Sequence, residues 1–219
     1  MLKDLDLLVL DFDGVLNISY DEAGFLWPRA LEADLGLDPR QLEPVFSGER
    51  FARALRGKID ILDVLAPYLA QSGLSVETLW RYWQAHDLRI DPRISNVVAE
   101  VRAHGVEVVI GTNSDARRAR HLAAADLSGA TPLRVLASAE LGAAKPDQRF
   151  FVEIEACTAR RVPERILLVD DWRPARQAAR GRGWRTIAYG DVDSFTPGDP
   201  AMLRHLLGLA TLSGENVRS

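Results

Sequence analysis

The feature that most restricts the fold of this chain is an alternation of short aliphatic runs with segments of helical periodicity. Short runs of mostly aliphatic residues, typical of strands buried on both faces, occupy residues 7–10, 106–110, 135–137, 166–169 and 186–189. Apolar residues recur at helical spacing between these runs, in residues 97–104, 115–125, 147–160 and 174–182. The alternation predicts an α/β, Rossmann-like fold, in which a parallel sheet carries helices on both faces.

The alternation is interrupted between residues 17 and 91. The apolar spacing is helical throughout this stretch, for example in GERFARALRG and SVETLWRYWQAHD. We therefore expect an all-helical domain at residues 17–91, inserted into a core formed by residues 1–16 and 92–219. A last helix is expected at residues 200–210, followed by a polar tail.

Charge and composition exclude several classes of partner. The formal net charge of −4 and the pI of about 5.6 provide no long-range attraction for nucleic acid or for an anionic membrane surface. No apolar run reaches membrane-spanning length, and Cys157 is the only cysteine, so an internal disulfide is impossible. We expect a cytoplasmic protein with a small-molecule ligand, and the oligomeric state is left open.

Polar residues follow four of the aliphatic runs at the point where each predicted strand ends. In open parallel sheets these ends share one rim, where ligands bind. Each group also has a simpler explanation: a tight turn, a helix cap, a solvated lysine or surface acids near a helix start. The groups, in chain order, are Asp11, Asp13 and Gly14; Thr112, Asn113 and Ser114; Lys145 in a loop after the third run; and Asp170 with Asp171.

The combination of these groups indicates a specific chemistry. Several carboxylates at one rim repel each other unless a cation lies between them, and an oxygen-rich site of this kind suits Mg²⁺. Lysine, hydroxyl and backbone N–H donors at the same rim suit a phosphoryl dianion. The sequence therefore predicts a magnesium-dependent phosphoryl-transfer site.

Four stretches in this order resemble the motifs of the haloacid dehalogenase superfamily: VLDFDGVL, VVIGTNS, AAKPDQRF and ILLVDDW. The resemblance extends from residue 7 to about residue 189. It implies that Asp11 is a nucleophile that forms an aspartyl phosphate. It also implies that Asp13 is the general acid and base, with its backbone carbonyl on the metal.

The same resemblance implies roles for the other rim residues. Thr112 and Lys145 would stabilise the phosphoryl group, with the backbone N–H groups of Asn113 and Ser114 nearby. Asp171 would bind Mg²⁺ directly and Asp170 through a water, which together with Asp11 and Asp13 gives the expected metal set.

The insertion resembles the cap that closes over the site in this superfamily. Lys58 is the expected cap contact to a substrate anion, with Arg53 and Arg56 as weaker candidates. Asn17 and Trp27 are expected at the entrance. The chain departs from the family pattern in the segment Trp172-Arg173-Pro174-Ala175 after the paired acids, where Trp172, Pro174 and Ala175 stand at positions that more often hold small or polar residues.

The predicted function is a magnesium-dependent phosphomonoesterase for a small phosphorylated metabolite, with a sugar phosphate as one candidate. A phosphomutase of the same superfamily and a non-catalytic, regulatory protein that binds a phosphometabolite remain as alternatives. Dehalogenation is disfavoured because dehalogenases of the superfamily lack the second acid, which is Asp13 here.

Overall fold

A computed structural model describes residues 2–125, 133–159 and 161–209. Its main sheet has five parallel strands in the order β5, β4, β1, β6, β7. The strands, in chain order, are β1 (Leu7–Leu10), β2 (Tyr20–Asp21), β3 (Gly24–Phe25), β4 (Glu107–Thr112), β5 (Arg134–Ala137), β6 (Ile166–Asp170) and β7 (Arg185–Ala188). The predicted parallel α/β sheet is therefore confirmed, and each of the five predicted runs contributes one strand to it.

The helices lie between the strands and within the insertion. They are α1 (Leu31–Leu35), α2 (Glu43–Ser47), α3 (Glu49–Ala54), α4 (Ile61–Leu69), α5 (Val76–Asp87), α6 (Pro92–Ala103), α7 (Ala116–Ala124), α8 (Ser138–Leu141), α9 (Gln148–Cys157), α10 (Arg173–Gly181) and α11 (Pro200–Leu207). Aspartates cap several of them, including Asp91 at α6 and Asp115 at α7, where the carboxylate accepts otherwise unpaired backbone N–H groups. Helix α11 ends before residue 210, which lies outside the described residues, as does residue 160 of the predicted helix 147–160.

The sheet is buried on both faces because successive side chains of a strand point in opposite directions. In β1, Leu8 and Leu10 belong to one apolar cluster with residues of α6 and α11. Leu7 and Val9 belong to a second cluster with residues of α9 and α10. Helix packing on both faces explains why the apolar residues of the central strands β1 and β6 are continuous rather than alternating, whereas the edge strands β5 and β7 begin with exposed residues.

The insertion has its own apolar core, which contains Trp27, Leu31, Ile61, Leu79 and Trp83. It is helical from α1 onward, but it begins with an antiparallel pair, β2 and β3, where the sequence analysis expected only helices. Each of these strands has two residues, which is too short to produce a recognisable period-two pattern. The rings of Tyr20 and Phe25 pack edge to face across the pair, with centroids 6.2 Å apart.

The chain leaves the core and returns to it along two paired segments. Arg89 N–H donates to Asn17 Oδ1 at 2.6 Å, and Asp91 N–H donates to the carbonyl of Leu16 at 3.0 Å. This pairing lies at the boundaries expected for the insertion, although the division into two domains stays a prediction. Among the helices of the described ranges, none combines the length and apolar character needed to cross a membrane.

Candidate active site

Lys145 joins two of the predicted acids at the carboxyl end of the sheet. Its Nζ lies 2.8 Å from Asp11 Oδ2, after β1, and 2.7 Å from Asp170 Oδ2, at the end of β6. The lysine is only 3% exposed and Asp170 is fully buried, so these charges compensate each other with little solvent. Burial opposes the charged form of Lys145, but the adjacent Asp11 and Asp170 raise its pKa overall. The sheet therefore places three rim residues from distant parts of the chain in one ionic cluster.

Asp171 completes this cluster on the other side. The hydroxyl of Tyr20, from the hairpin in the insertion, donates to Asp171 Oδ2 at 2.7 Å. Gly14 lies against the same carboxylate: its φ is +77°, and a Cβ at this position would lie 1.9 Å from Asp171 Oδ2. Only glycine permits both the left-handed turn and this close approach. The contact of Tyr20 with Asp171 is not evident from sequence.

Two acids of this cluster, Asp11 and Asp171, have raised pKa values despite the nearby Lys145. Burial, together with the nearby Asp170 and Asp171, raises the pKa of Asp11 well above its usual value. Burial is also the main reason why the pKa of Asp171 is raised to about 7, and the charge of Asp170 adds to the effect. One carboxylate oxygen from each of Asp11, Asp170 and Asp171 lies within 4.8 Å of the others, so this group could hold a metal ion.

Thr112, Asn113 and Ser114 lie beside the same cleft, but two of them have bonds that the sequence analysis did not anticipate. Asn113 forms two hydrogen bonds with the backbone of Lys145: its Nδ2 donates to the carbonyl at 2.9 Å, and its Oδ1 accepts from the N–H at 2.8 Å. The N–H of Ser114 donates to Ser138 Oγ at 3.0 Å. The expectation that this N–H binds the phosphoryl group is therefore wrong. Asn113 therefore fixes the lysine loop, and Thr112, at the end of β4, lines the cleft.

Asp13 belongs to a second ionic network. Arg118, on α7, donates to both carboxylate oxygens of Asp13, at 2.8 and 2.9 Å, and to Asp87 Oδ2 at 2.5 Å. Asn17, which is fully buried, donates to Asp13 Oδ1 at 3.0 Å, so it supports the acid rather than lining the entrance. Burial is the main reason why the pKa of Asp87 is raised to about 6. Arg118 and Asp87 were both missed by the sequence analysis.

The unusual segment after the paired acids supports the site. The N–H of Trp172 donates to Asp170 Oδ1 at 2.8 Å, and Pro174 lies in the first turn of α10, where no backbone N–H is needed. Arg176 Nη1 donates to the carbonyl of Asp170 at 2.8 Å. The departure from the family pattern therefore leaves the geometry of the acids intact.

The expected contacts from the insertion are distributed differently. Lys58 and Arg53 are exposed and Arg56 is half-buried, and all three are absent from the set of described residues that line the cleft. Trp27 is buried, and it lines a neighbouring cavity in the insertion. The apolar residues Phe51, Leu55 and Trp83 face the cleft from the insertion instead, together with Ser19, Tyr20 and Phe25.

Fold and rim together define a Rossmann-like α/β protein whose carboxylates and lysine converge at the carboxyl end of a parallel sheet. A family model described as haloacid dehalogenase-like hydrolase matches residues 5–181. The chain belongs to this family of hydrolases, as the four sequence motifs predicted. The comparison with curated proteins gives no match.

Solved structures with a similar fold come from the same superfamily. A predicted HAD-like family hydrolase from Porphyromonas gingivalis has a TM-score of 0.69 at 19% identity, covering 92% of this chain and 98% of that chain. A HAD family enzyme from Bacteroides thetaiotaomicron, in complex with magnesium and inorganic phosphate, has a TM-score of 0.67 at 16% identity, and the match covers 84% of this chain and 94% of that chain. L-2-haloacid dehalogenase from Xanthobacter autotrophicus, with covalently bound chloropropionic acid, has a TM-score of 0.61 at 20% identity, and the match covers 95% of this chain and 85% of that chain. At these identities the comparisons establish the fold.

Proposed function

We propose that the protein is a magnesium-dependent phosphomonoesterase that acts on a small phosphorylated metabolite through an aspartyl-phosphate intermediate. One observation carries the proposal. Lys145 Nζ bridges Asp11 and Asp170 at 2.8 and 2.7 Å, and Asp171 shares their carboxylate cluster. A nucleophilic carboxylate, a buried cation and further acids at one rim are the parts that phosphoryl transfer requires.

The residues present suit magnesium. Their ligand atoms are carboxylate oxygens, and three such groups lie around one lysine, so a divalent cation would favour their charged forms. Asp171 faces the cleft and is proposed as a direct ligand, whereas both oxygens of Asp170 accept hydrogen bonds, from Lys145 and Trp172. Bound magnesium would offset the repulsion between the nucleophile and the phosphoryl oxygens. The magnesium and phosphate complex of the similar Bacteroides enzyme supports this assignment.

The proposed reaction has two steps. In the first, a carboxylate oxygen of Asp11 bonds to phosphorus, the ester P–O bond breaks, and Asp13 gives its proton to the departing alkoxide. In the second, Asp13 removes a proton from water, whose oxygen bonds to phosphorus and releases phosphate from Asp11. Lys145 and the Thr112 hydroxyl would stabilise charge on the phosphoryl oxygens in both steps.

Asp13 favours a phosphatase over a dehalogenase. The similarity to L-2-haloacid dehalogenase is one of fold, and dehalogenases of the superfamily resemble this chain at the nucleophile but lack the second acid. Here Asp13 follows Asp11 by two residues and lines the same cleft. A protonated leaving group is needed for an ester and not for a halide, which supports phosphoester chemistry.

The test is phosphate release from p-nitrophenyl phosphate by the purified chain, with Mg²⁺ or with EDTA. We expect turnover only with Mg²⁺, and we expect Asp11→Asn to abolish it. Asp63→Asn, an exposed position on α4, is the matched control and should leave turnover unchanged. Undiminished turnover in Asp11→Asn would refute the nucleophile assignment. Transfer of the phosphoryl group to an added sugar instead of water would identify a phosphomutase.

A further inference from the structure

The insertion contains an apolar cavity that the proposed chemistry does not use. Its volume is about 500 Å³, and Trp27, Leu42, Phe46, Phe51 and Trp83 are among the residues that line it. The aromatic rings form one cluster, with centroid distances of 5.1 Å between Phe46 and Trp83 and 5.7 Å between Trp27 and Trp83. A volume of this size is within the range of small-molecule sites.

The cavity adjoins the cleft above Asp11. The cleft itself has a volume of about 360 Å³, and the two spaces share six residues in their linings: Asp13, Ser19, Phe25, Phe51, Trp83 and Arg118. A phosphate ester with its phosphorus at Asp11 would therefore direct the rest of the molecule past Asp13 and into the aromatic cavity. Because Asp13 lies at the junction, it is placed beside the oxygen that leaves.

The charges in the lining do not favour a polar guest. Among the described residues that line the cavity, Arg118 is the single cation, and it is bound to both Asp13 and Asp87. A second phosphate would lack a free cation. Apart from this charged network, the polar side chains among the described lining residues are Ser19, Glu43 and Ser47, so most sugar hydroxyls would be buried against rings without a hydrogen bond, which is unfavourable for each unpaired group. Aromatic groups, in contrast, pack well against edge-to-face ring clusters.

We infer that the substrate is the phosphate monoester of an alcohol with an apolar, aromatic body, rather than a sugar phosphate. This inference rests on the proposed phosphomonoesterase activity. A cavity of roughly 150 Å³ holds benzene, so the space of about 500 Å³ has room for a group of two rings. The rings of Phe46 and Trp83 would contact that group, and Asp11 would receive its phosphoryl end.

The experiment compares esters whose leaving groups are all alkyl alcohols, so that their intrinsic reactivity is similar. The probes are 2-(1-naphthyl)ethyl phosphate, glycerol phosphate and glucose 6-phosphate, assayed for kcat/KM with Mg²⁺. We expect kcat/KM for the naphthyl ester to be at least tenfold higher, because apolar pockets typically discriminate by about this factor between substrates that differ by a small buried apolar group. Equal values, or a preference for either polyol phosphate, would overturn the inference while leaving phosphatase activity established.

Variants of α2 test the assignment of the cavity. Phe46→Ser removes a lining ring, and Ser47→Trp narrows the space from an exposed position that the fold can tolerate. Each should lower the naphthyl-to-glycerol ratio of kcat/KM by tenfold or more. Val45→Ser, on the same helix and outside the described lining, is the matched control and should preserve the ratio. An unchanged ratio in Ser47→Trp, with a melting temperature like that of the parent, would overturn the assignment.

A binding measurement separates this inference from the proposed function. Calorimetry with Mg²⁺ compares benzylphosphonate with methylphosphonate, neither of which is hydrolysed. Benzylphosphonate should bind at least tenfold more tightly, and equal affinities would overturn the inference. If benzylphosphonate binds more tightly but no ester is hydrolysed, the apolar site stands and the phosphomonoesterase proposal fails.

Discussion

Replacing Arg118 with methionine tests the network that holds Asp13. Arg118 is 7% exposed, and its guanidinium donates to Asp13 and Asp87 while lying 5.3 Å from the ring centroid of Trp83. Methionine keeps much of the length and apolar surface of the side chain but removes the charge. Two carboxylates are then left without their common partner, one of them buried.

The expected loss follows from the cost of unpaired buried charge. Removing one partner of a buried ion pair typically costs about 3–5 kcal/mol of unfolding free energy. Even with Arg118 present, burial raises the pKa of Asp87 from 3.8 to about 6. At about 1.4 kcal/mol per pKa unit, its ionisation at neutral pH already costs the fold roughly 3 kcal/mol. Without Arg118 the pKa of Asp87 rises further. Protonation of Asp87 at low pH therefore removes the cost of its buried charge and reduces the destabilisation of the variant.

The sign of the pH dependence is therefore fixed. A carboxyl group whose folded pKa is raised binds protons more tightly in the folded state, so the fold loses stability as pH rises from the unfolded pKa through the folded pKa. We expect Arg118→Met to lose about 3 kcal/mol or more at pH 7.5 and roughly half as much at pH 5. The assay is urea denaturation at both pH values.

Arg120→Met, an exposed arginine on the same helix, is the control and should change stability by no more than about 0.5 kcal/mol. A double-mutant cycle with Asp87→Asn should give a coupling energy of at least about 1 kcal/mol. An equal loss for Arg118→Met at both pH values, or a loss no larger than that of Arg120→Met, would refute the assigned network.

Three further predictions concern the metal cluster and the lysine loop. The pKa of Asp171 is raised to about 7 without metal, so protons compete with Mg²⁺ for this carboxylate. The increase in melting temperature caused by Mg²⁺ should therefore be larger at pH 8 than at pH 5.5, and it should vanish in Asp171→Asn. Gly14→Ala should abolish that increase, since its Cβ would lie 1.9 Å from Asp171 Oδ2, whereas Gly105→Ala, at a positive φ in open space, should lower stability but keep the increase. Asn113→Ala should cost about 1–3 kcal/mol and lower kcat, because both of its hydrogen bonds to the backbone of Lys145 are lost, and an unchanged kcat would contradict its positioning role.

The parallel sheet and its rim could be predicted from sequence because local patterns determine both. A run such as residues 7–10 has no polar position, so it requires cover on both faces, and parallel strands bring their carboxyl ends to one rim. The strand order and the course of the loop that carries Lys145 are not set by a local pattern, but a parallel sheet predicts one shared rim for Asp11, Lys145 and Asp170, which lie far apart in the chain. Their contacts at 2.7–2.8 Å agree with that expectation.

Arg118 illustrates what could not be predicted. It lies in the stretch DARRARHL, in which three arginines look alike and a solvated helix face is the ordinary expectation. One signal was present: Arg118 precedes the buried Leu122 by four residues, which places both on the same face of α7. Its partner Asp87, at the end of a helix in the insertion, has no such signal, because the packing of the insertion against the core is not encoded in any local pattern.

Arg118 also explains how neighbouring aspartates can have different chemistry. Lys145 pairs with Asp11 and Asp170, whereas Asp171 accepts from Tyr20, so three acids lie around one lysine and a divalent cation would offset their mutual repulsion. Asp13 is only two residues from Asp11, but both of its carboxylate oxygens are held by Arg118 and lie outside that cluster. In the proposed reaction the Asp13 side chain stays apart from this cluster, and one of its oxygens leaves Arg118 to exchange a proton with the substrate oxygen. The same arginine contacts Asp87 and the ring of Trp83 in the insertion, so it connects Asp13, the proposed acid, to the wall of the aromatic cavity.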